Sequence, residues 1–109
     1  CMSAFFDLSK RQKKDAFENV QIQTVYGDHV MLSYVHLEPN GIVPLHSHPH
    51  EQMGLLLEGE CEFTIGDETR TVKVGDVWWI PGDVEHTVRN GDKYTLALDI
   101  FYPIREDLK

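Results

Sequence analysis

The chain has 109 residues and a mass of 12.6 kDa, enough for one domain with a modest core. Hydrophobic residues make up 41% and charged residues 26%, which excludes a disordered, collagenous or fibrous chain. Eighteen acids against ten Lys and Arg give a formal charge of -8, so no broad basic face is available for nucleic acid or an anionic membrane.

Residues 1–19 read as an irregular or partly helical arm ahead of a β-domain spanning 20–109. The basic run in that arm, Lys10, Arg11, Lys13 and Lys14, reads as a solvated face. No apolar stretch approaches the roughly 20 residues of a membrane-spanning helix. The first residues lack the roughly 7–15-residue apolar region of a signal peptide. Cys1 precedes Met2, so Met2 is taken as the natural start and Cys61 as the one native cysteine. One cysteine builds no disulfide framework, and a reducing cytoplasm is expected.

From residue 20 onward the pattern is short β-rich segments and turns. VQIQTVY (20–26) ends at Gly27-Asp28, and VMLSYVHLE (30–38) ends at Pro39-Asn40-Gly41. IVPLHSH (42–48) is extended but interrupted by Pro44 and followed by Pro49. QMGLLLEGE (52–60), CEFTI (61–65), TRTVKV (69–74), VWWI (77–80), HTVRN (86–90) and KYTLALDIFY (93–102) complete the series. About nine strands with turns every 8–12 residues predict a sandwich or barrel. The absence of alternating helical patterns excludes a parallel βαβ sheet.

The chemistry concentrates in His46-Ser47-His48-Pro49-His50-Glu51-Gln52. Side chains two apart on a strand share a face, so His46 and His48 point the same way, about 7 Å apart. Two imidazoles at that spacing can converge on one metal ion. Pro49 bends the chain, which leaves open which of His50, Glu51 and Gln52 faces inward. His86, beyond an apolar strand and the Pro81-Gly82-Asp83 turn, is a third candidate ligand.

These segments carry a family resemblance. GIVPLHSHPHEQMGLLLEG resembles the first cupin motif, and GDVWWIPGDVEHTVRN resembles the second, with Gly75, Pro81, His86 and Asn90 in place. A 15-residue spacer, Glu60–Val74, separates them. Three departures are visible. Gly41 stands one residue nearer His46 than usual, Gln52 replaces the common Glu, and Gly82 precedes the usual turn position, where Asp83 stands. The resemblance implies an all-β fold, a single-domain antiparallel β-barrel of jelly-roll type. It implies metal ligation by His46, His48, Gln52 and His86. Three imidazoles and an amide oxygen suit a divalent Ni, Zn, Fe, Mn or Cu ion. With a neutral amide in place of a carboxylate, such a site favours an anionic ligand. His50 and Glu51 are expected at the rim.

In the last strand Asp99 stands on a face with Ala97 and Phe101. Asp99-Ile-Phe101-Tyr-Pro-Ile-Arg105 resembles the end of the KdgF-type pectin-degradation cupins, which also carry His, His, Gln and His around a metal. That resemblance implies conversion of 4,5-unsaturated monouronates into linear 4-deoxy keto uronates. It makes Asp99 the acid/base, Phe101 an apolar wall for the sugar, and Arg105 the holder of the substrate carboxylate. The expected partner is a small anionic sugar. Without that function, Asp99 would be a solvated rim residue, and Arg105 a surface residue paired with Glu106 or Asp107. A dioxygenase, a sugar isomerase or a non-catalytic small-ligand cupin stay open as other readings. Of the adjacent Trp78 and Trp79, one should face the core and one should face outward against a second subunit, giving a homodimer.

Overall fold

The computed structural model describes residues 3–109, so Cys1 and Met2 lie outside the described residues. A 3-10 turn, Leu8–Lys10, leads into β1 (Lys14–Phe17) and β2 (Val20–Tyr26). The middle strands are β3 (Met31–Leu37), β4 (Ile42–His46), β5 (Glu51–Glu58), β6 (Glu60–Ile65) and β7 (Glu68–Lys73). Then come β8 (Val77–Ile80), β9 (His86–Asn90), β10 (Thr95–Tyr102) and a second 3-10 turn, Glu106–Leu108. The nine expected strands are present within a few residues of their predicted ends. The tenth, β1, falls where an irregular or partly helical arm was expected. It pairs with β2, Lys14 opposite Ile22 and Asp15 opposite Gln21. Its alternation was masked by Lys and Asp at an exposed sheet edge, where charged side chains are tolerated.

All pairings are antiparallel. One sheet runs β1-β2-β3-β10-β5-β8 and the other β4-β9-β6-β7, a jelly-roll arrangement. Apolar residues alternate inward from both sheets. Val20, Leu37, Leu56, Ala97 and Ile80 of the larger sheet pack against Cys61, Phe63, Val72 and Val88 of the smaller. Burial of these side chains is the main favourable term holding the two sheets together.

The two ends of the barrel differ. At one end Asn90, buried to 4% exposure, shares its amide N–H groups among the Leu37, Glu38 and Lys93 carbonyls. Its own oxygen accepts from Thr95 Oγ1. These bonds satisfy its donors and tie β9 to the end of β3 and to the turn before β10. His86 begins the same strand and stands at the other end, which is open.

Candidate functional site

The open end is shaped by a bend and a close contact. The β4–β9 ladder shifts register between Val43 and His46, around Pro44, and resumes with His46 directly opposite His86. The chain then leaves the sheet and returns as β5 after Pro49 and His50. The 81–83 turn clasps this loop: the Asp83 amide donates to the His48 carbonyl at 2.8 Å. A Cβ at Gly82 would lie 2.5 Å from the Pro49 carbonyl oxygen, so position 82 requires glycine for space. Asp83 takes the left-handed conformation of the turn, with φ of 68°. Aspartate tolerates that region, which accounts for the displaced glycine of the second motif.

His46, His48 and His86 come together, with candidate ligand atoms all within 4.8 Å of one another. Ring centroids are 4.2 Å apart for His46 and His86, and 5.0 Å for His48 and His86. Their tautomers follow from their partners. Nδ1 of His46 faces the Pro44 carbonyl at 2.7 Å, Nδ1 of His48 faces the His50 carbonyl at 3.1 Å, and Nδ1 of His86 faces the Val84 carbonyl at 2.8 Å. A carbonyl only accepts, so Nδ1 of His46 and of His86 carries the proton and their Nε2 atoms are bare lone pairs, whereas His48 faces an acceptor at each nitrogen. Nε2 of His86 is buried without any partner.

Gln52 completes the cluster. Its Oε1 lies 3.0 Å from Nε2 of His48. With Nε2 protonated this is a hydrogen bond to the amide oxygen; with Nε2 bare, both atoms are lone pairs turned to the same point. The spacing equals that of neighbouring ligands on an octahedral ion with bonds of about 2.1 Å. The orphaned lone pair of His86 and the convergence of the three rings are what a divalent ion would satisfy. The residues present therefore fit one, with His46, His48, Gln52 and His86 as its holders.

Burial lowers the basicity of His48, helped by the nearby Arg105 charge. His86 is pushed down to about 4, chiefly by desolvation. Both shifts keep the rings neutral and able to ligate at ordinary pH. His36, the other buried histidine, has the opposite tautomer. Its Nε2 donates to Gln23 Oε1 at 2.8 Å and its Nδ1 accepts from the Tyr94 hydroxyl at 2.6 Å. With both nitrogens engaged, His36 is structural.

Beside the histidines is a cavity of about 360 Å³, lined among others by Gln52, Trp78, Asp99, Phe101 and Arg105. Asp99 is not a solvated rim residue: it is 9% exposed, on the cavity face of β10. Burial pushes its carboxyl up to about 6, against hydrogen bonds from Gln52 and Trp78 and the Arg105 charge. Gln52 thus touches both the histidine cluster and Asp99. The Phe101 ring packs edge-on against His48, centroids 5.5 Å apart. The Arg105 guanidinium sits over the Phe101 ring at 5.2 Å. Arg105 also pairs with Asp107, Nη2 at 2.7 Å and Nε at 3.3 Å. The surface pairing and the cavity position are both present. Asp107 takes one edge of the fork, and three N–H groups are left for another anion.

Two further cavity features were not anticipated. Lys14 and Phe17 of β1 line the cavity wall, on the face shared with Ile22 and Val20. Trp78 is buried and lines the cavity, and its indole N–H donates to Asp99 Oδ1 at 3.1 Å. Trp79 points outward, 56% exposed, and donates to Glu51 Oε2 at 2.9 Å. Glu51 is therefore on the outer face. His50 is half-buried beside His48, ring centroids 5.7 Å apart, and its Nδ1 is buried without a partner.

A two-sheet jelly roll with three convergent histidines at its open end defines the cupin class of metal-capable barrels. The chain belongs to the cupin family, whose domain matches residues 33–101. It is a small cupin resembling KdgF. The structure of KdgF from Halomonas sp. is similar over 99% of this chain and 100% of that one, at 24% identity and a TM-score of 0.90. An RmlC-like cupin from Shewanella frigidimarina is similar over 99% and 97%, at 20% identity and a TM-score of 0.90. A variant oxalate decarboxylase from Bacillus subtilis is similar over 94% of this chain and 30% of its own, at 20% identity and a TM-score of 0.83. These likenesses show the fold. No curated protein matches the sequence. Among the described residues no helix is long and apolar enough to cross a membrane.

Proposed function

We propose that the protein is an enzyme that linearises 4,5-unsaturated monouronates into 4-deoxy keto uronates. The observation that supports this reading is the convergence of Asp99, Phe101 and Arg105 with Gln52 and His86 on one cavity. These are the residue types the sequence resemblance to KdgF-type cupins calls for, and the fold likeness to a KdgF is consistent with it.

The reaction is an isomerisation and needs no oxidant. The bond from the anomeric carbon to the ring oxygen breaks, and the anomeric hydroxyl gives up its proton to leave an aldehyde. The ring oxygen becomes the ketone oxygen as the alkene carbon C4 gains a proton. A divalent ion held by His46, His48, Gln52 and His86 would supply Lewis-acid polarisation of the sugar oxygens. Arg105 holds the uronate carboxylate through the free edge of its guanidinium. Phe101 covers an apolar face of the sugar and shields the site from water. Asp99, whose carboxyl titrates near 6, exchanges the proton between oxygen and carbon.

The test is turnover of unsaturated galacturonate and unsaturated mannuronate by metal-loaded protein. Products are followed by NMR, or by loss of the conjugated-alkene absorbance. A rate well above the spontaneous one supports the reading. Tight binding without turnover would make the protein a small-ligand binding cupin instead. Oxygen uptake with a redox-active metal would point to a dioxygenase.

A further inference from the structure

Three residues form a row across three neighbouring strands. Asp99 of β10 is directly opposite Gly54 of β5, and Gly54 is directly opposite Trp78 of β8. Position 54 has no side chain, so the indole of Trp78 crosses β5 over the bare Cα and reaches Asp99. A Cβ at position 54 would stand 2.3 Å from Trp78 Nε1, 2.5 Å from Trp78 Cε2 and 2.6 Å from Asp99 Oδ1. The atoms it would strike are the two partners of that hydrogen bond. Glycine inside an eight-residue strand is unfavourable in itself. Gly54 is not among the positive-φ residues, so its backbone does not require glycine and the close approach does. On its other side the indole packs against Phe63, ring centroids 4.8 Å apart.

We propose that Gly54 and Trp78 are positioning residues for Asp99: the glycine opens a lane across β5, and the indole N–H fixes the rotation of the carboxyl group. The indole holds Oδ1 and Gln52 also donates to the carboxyl, so the two donors together set which edge of Asp99 is turned to a substrate. A core tryptophan would have satisfied packing without an N–H aimed at a buried acid. Phe63 and Gly54 confine the ring so that the donor stays aimed. The activity part of this inference rests on the proposed function, whereas the contact itself does not.

The experiment has two arms and uses the full chain. In a Trp79→Phe background Trp78 is the sole indole, and its 1H–15N resonance is one isolated peak. Asp99→Asn should displace that peak, because a weaker acceptor replaces a carboxyl oxygen. Gly54→Ala should displace it as well; if that variant does not fold, Asp99→Asn carries the arm alone. An indole peak unmoved by Asp99→Asn would overturn the proposal. In the second arm, Trp78→Phe should lower kcat on unsaturated uronate by about 10- to 100-fold. KM should stay within about twofold, since Trp78 is not assigned a binding contact. In an Asp99→Asn background the same substitution should cost nothing further. Wild-type kcat in Trp78→Phe, or a full additional loss on top of Asp99→Asn, would overturn the positioning role. If the wild type turns over no unsaturated uronate, the proposed function falls. The indole resonance then decides alone whether Trp78 holds Asp99.

Discussion

His46 and His86 stand directly opposite each other across the β4–β9 ladder, ring centroids 4.2 Å apart. Rings this close, each with Nδ1 on a backbone carbonyl and Nε2 turned to the cluster, gain little from each other. The buried Nε2 of His86 is an uncompensated cost in the protein alone. A cation removes that cost. A divalent transition metal at about 100 times its Kd should add about 2.7 kcal/mol of stability. For a chain of this size that is a rise in Tm on the order of 10 °C. His86→Ala should lose most of the metal-dependent shift, and elemental analysis after chelation and reloading should find about one ion per wild-type chain. Equal shifts in wild type and variant would count against the site.

The Asp99 carboxyl and the His86 ring make opposite contributions to the pH dependence of folding. Asp99 is raised from 3.8 to about 6, so the folded chain keeps a proton that the unfolded chain has already released. Its contribution is fully present below about pH 4 and is lost as the pH rises through about 6. His86 is lowered from 6.5 to about 4, so its contribution is present above about pH 6.5 and is lost as the pH falls towards 4. Asp99→Asn removes only the first. In metal-free protein, the difference in Tm between Asp99→Asn and wild type should become steadily more favourable to the variant from pH 4 to pH 7. A difference that does not change with pH would contradict the burial cost assigned to Asp99.

The histidine site was legible because a strand's period of two puts His46 and His48 on one side, and because the spacing to His86 matched a motif. The same parity argument placed Asp99 with Ala97 and Phe101, all three of which line the cavity. It also separated Trp78 from Trp79. Parity alone put Gln52 with His46 and His48, but the bend at Pro49 left this open until the fold showed Gln52 inward, 4% exposed, and Glu51 outward. The β1 strand was hidden because edge pairing with β2, not hydrophobic alternation, forms it. The row of Asp99, Gly54 and Trp78 could not be read at all, since it depends on the registers of β10 with β5 and β5 with β8. A glycine in a strand with no turn nearby was the one available signal.

Cys61 is 4% exposed, and burial, followed by the Asp99 and Glu60 charges, pushes its thiol up to about 11. Its thiolate is scarce and its approach is blocked. In a Cys1→Ser chain at pH 8, alkylation of the native protein should be slowed by roughly 100-fold or more relative to the denatured chain. Rapid modification under native conditions would mean that the β6–β9 core opens far more readily than this packing implies.

The outer face of the larger sheet is apolar where β5, β8 and β10 meet. Met53 pairs with Trp79 on one side and Ile100 on the other, and Leu55 pairs with Val77 and Leu98. Met53, Val77 and Trp79 are 45%, 65% and 56% exposed. A monomer rarely leaves a contiguous apolar patch on a flat sheet uncovered. We expect a second copy of the chain to cover it. Sedimentation at micromolar concentration should give a dimer, and Met53→Glu should shift it towards monomer without lowering the metal-dependent gain in Tm. A wild-type monomer at tens of micromolar would remove this expectation and leave the site intact.

Asp99 and Arg105 should separate cleanly in kinetics if the uronate reading holds. Asp99→Asn keeps the shape of the side chain and its place beside Gln52 and Trp78, so metal content and fold should persist. Without a titrating carboxyl, kcat should fall by roughly 10²- to 10⁴-fold, the usual contribution of a placed proton-transfer group. Arg105 is different. Its side chain is 15% exposed, held by the Phe101 ring and by Asp107, with part of its fork still open. Removing it takes away a charge-assisted contact to the substrate carboxylate. Arg105→Ala should therefore raise KM by about 10- to 100-fold while kcat changes by a few-fold at most. A neutral ester of the substrate should lose the same affinity on the wild type and gain little from the guanidinium. Asp99→Asn turning over unsaturated uronates at the wild-type rate would exclude it as the acid/base. Arg105→Ala lowering kcat alone would place the guanidinium at the reacting atoms instead of at the carboxylate.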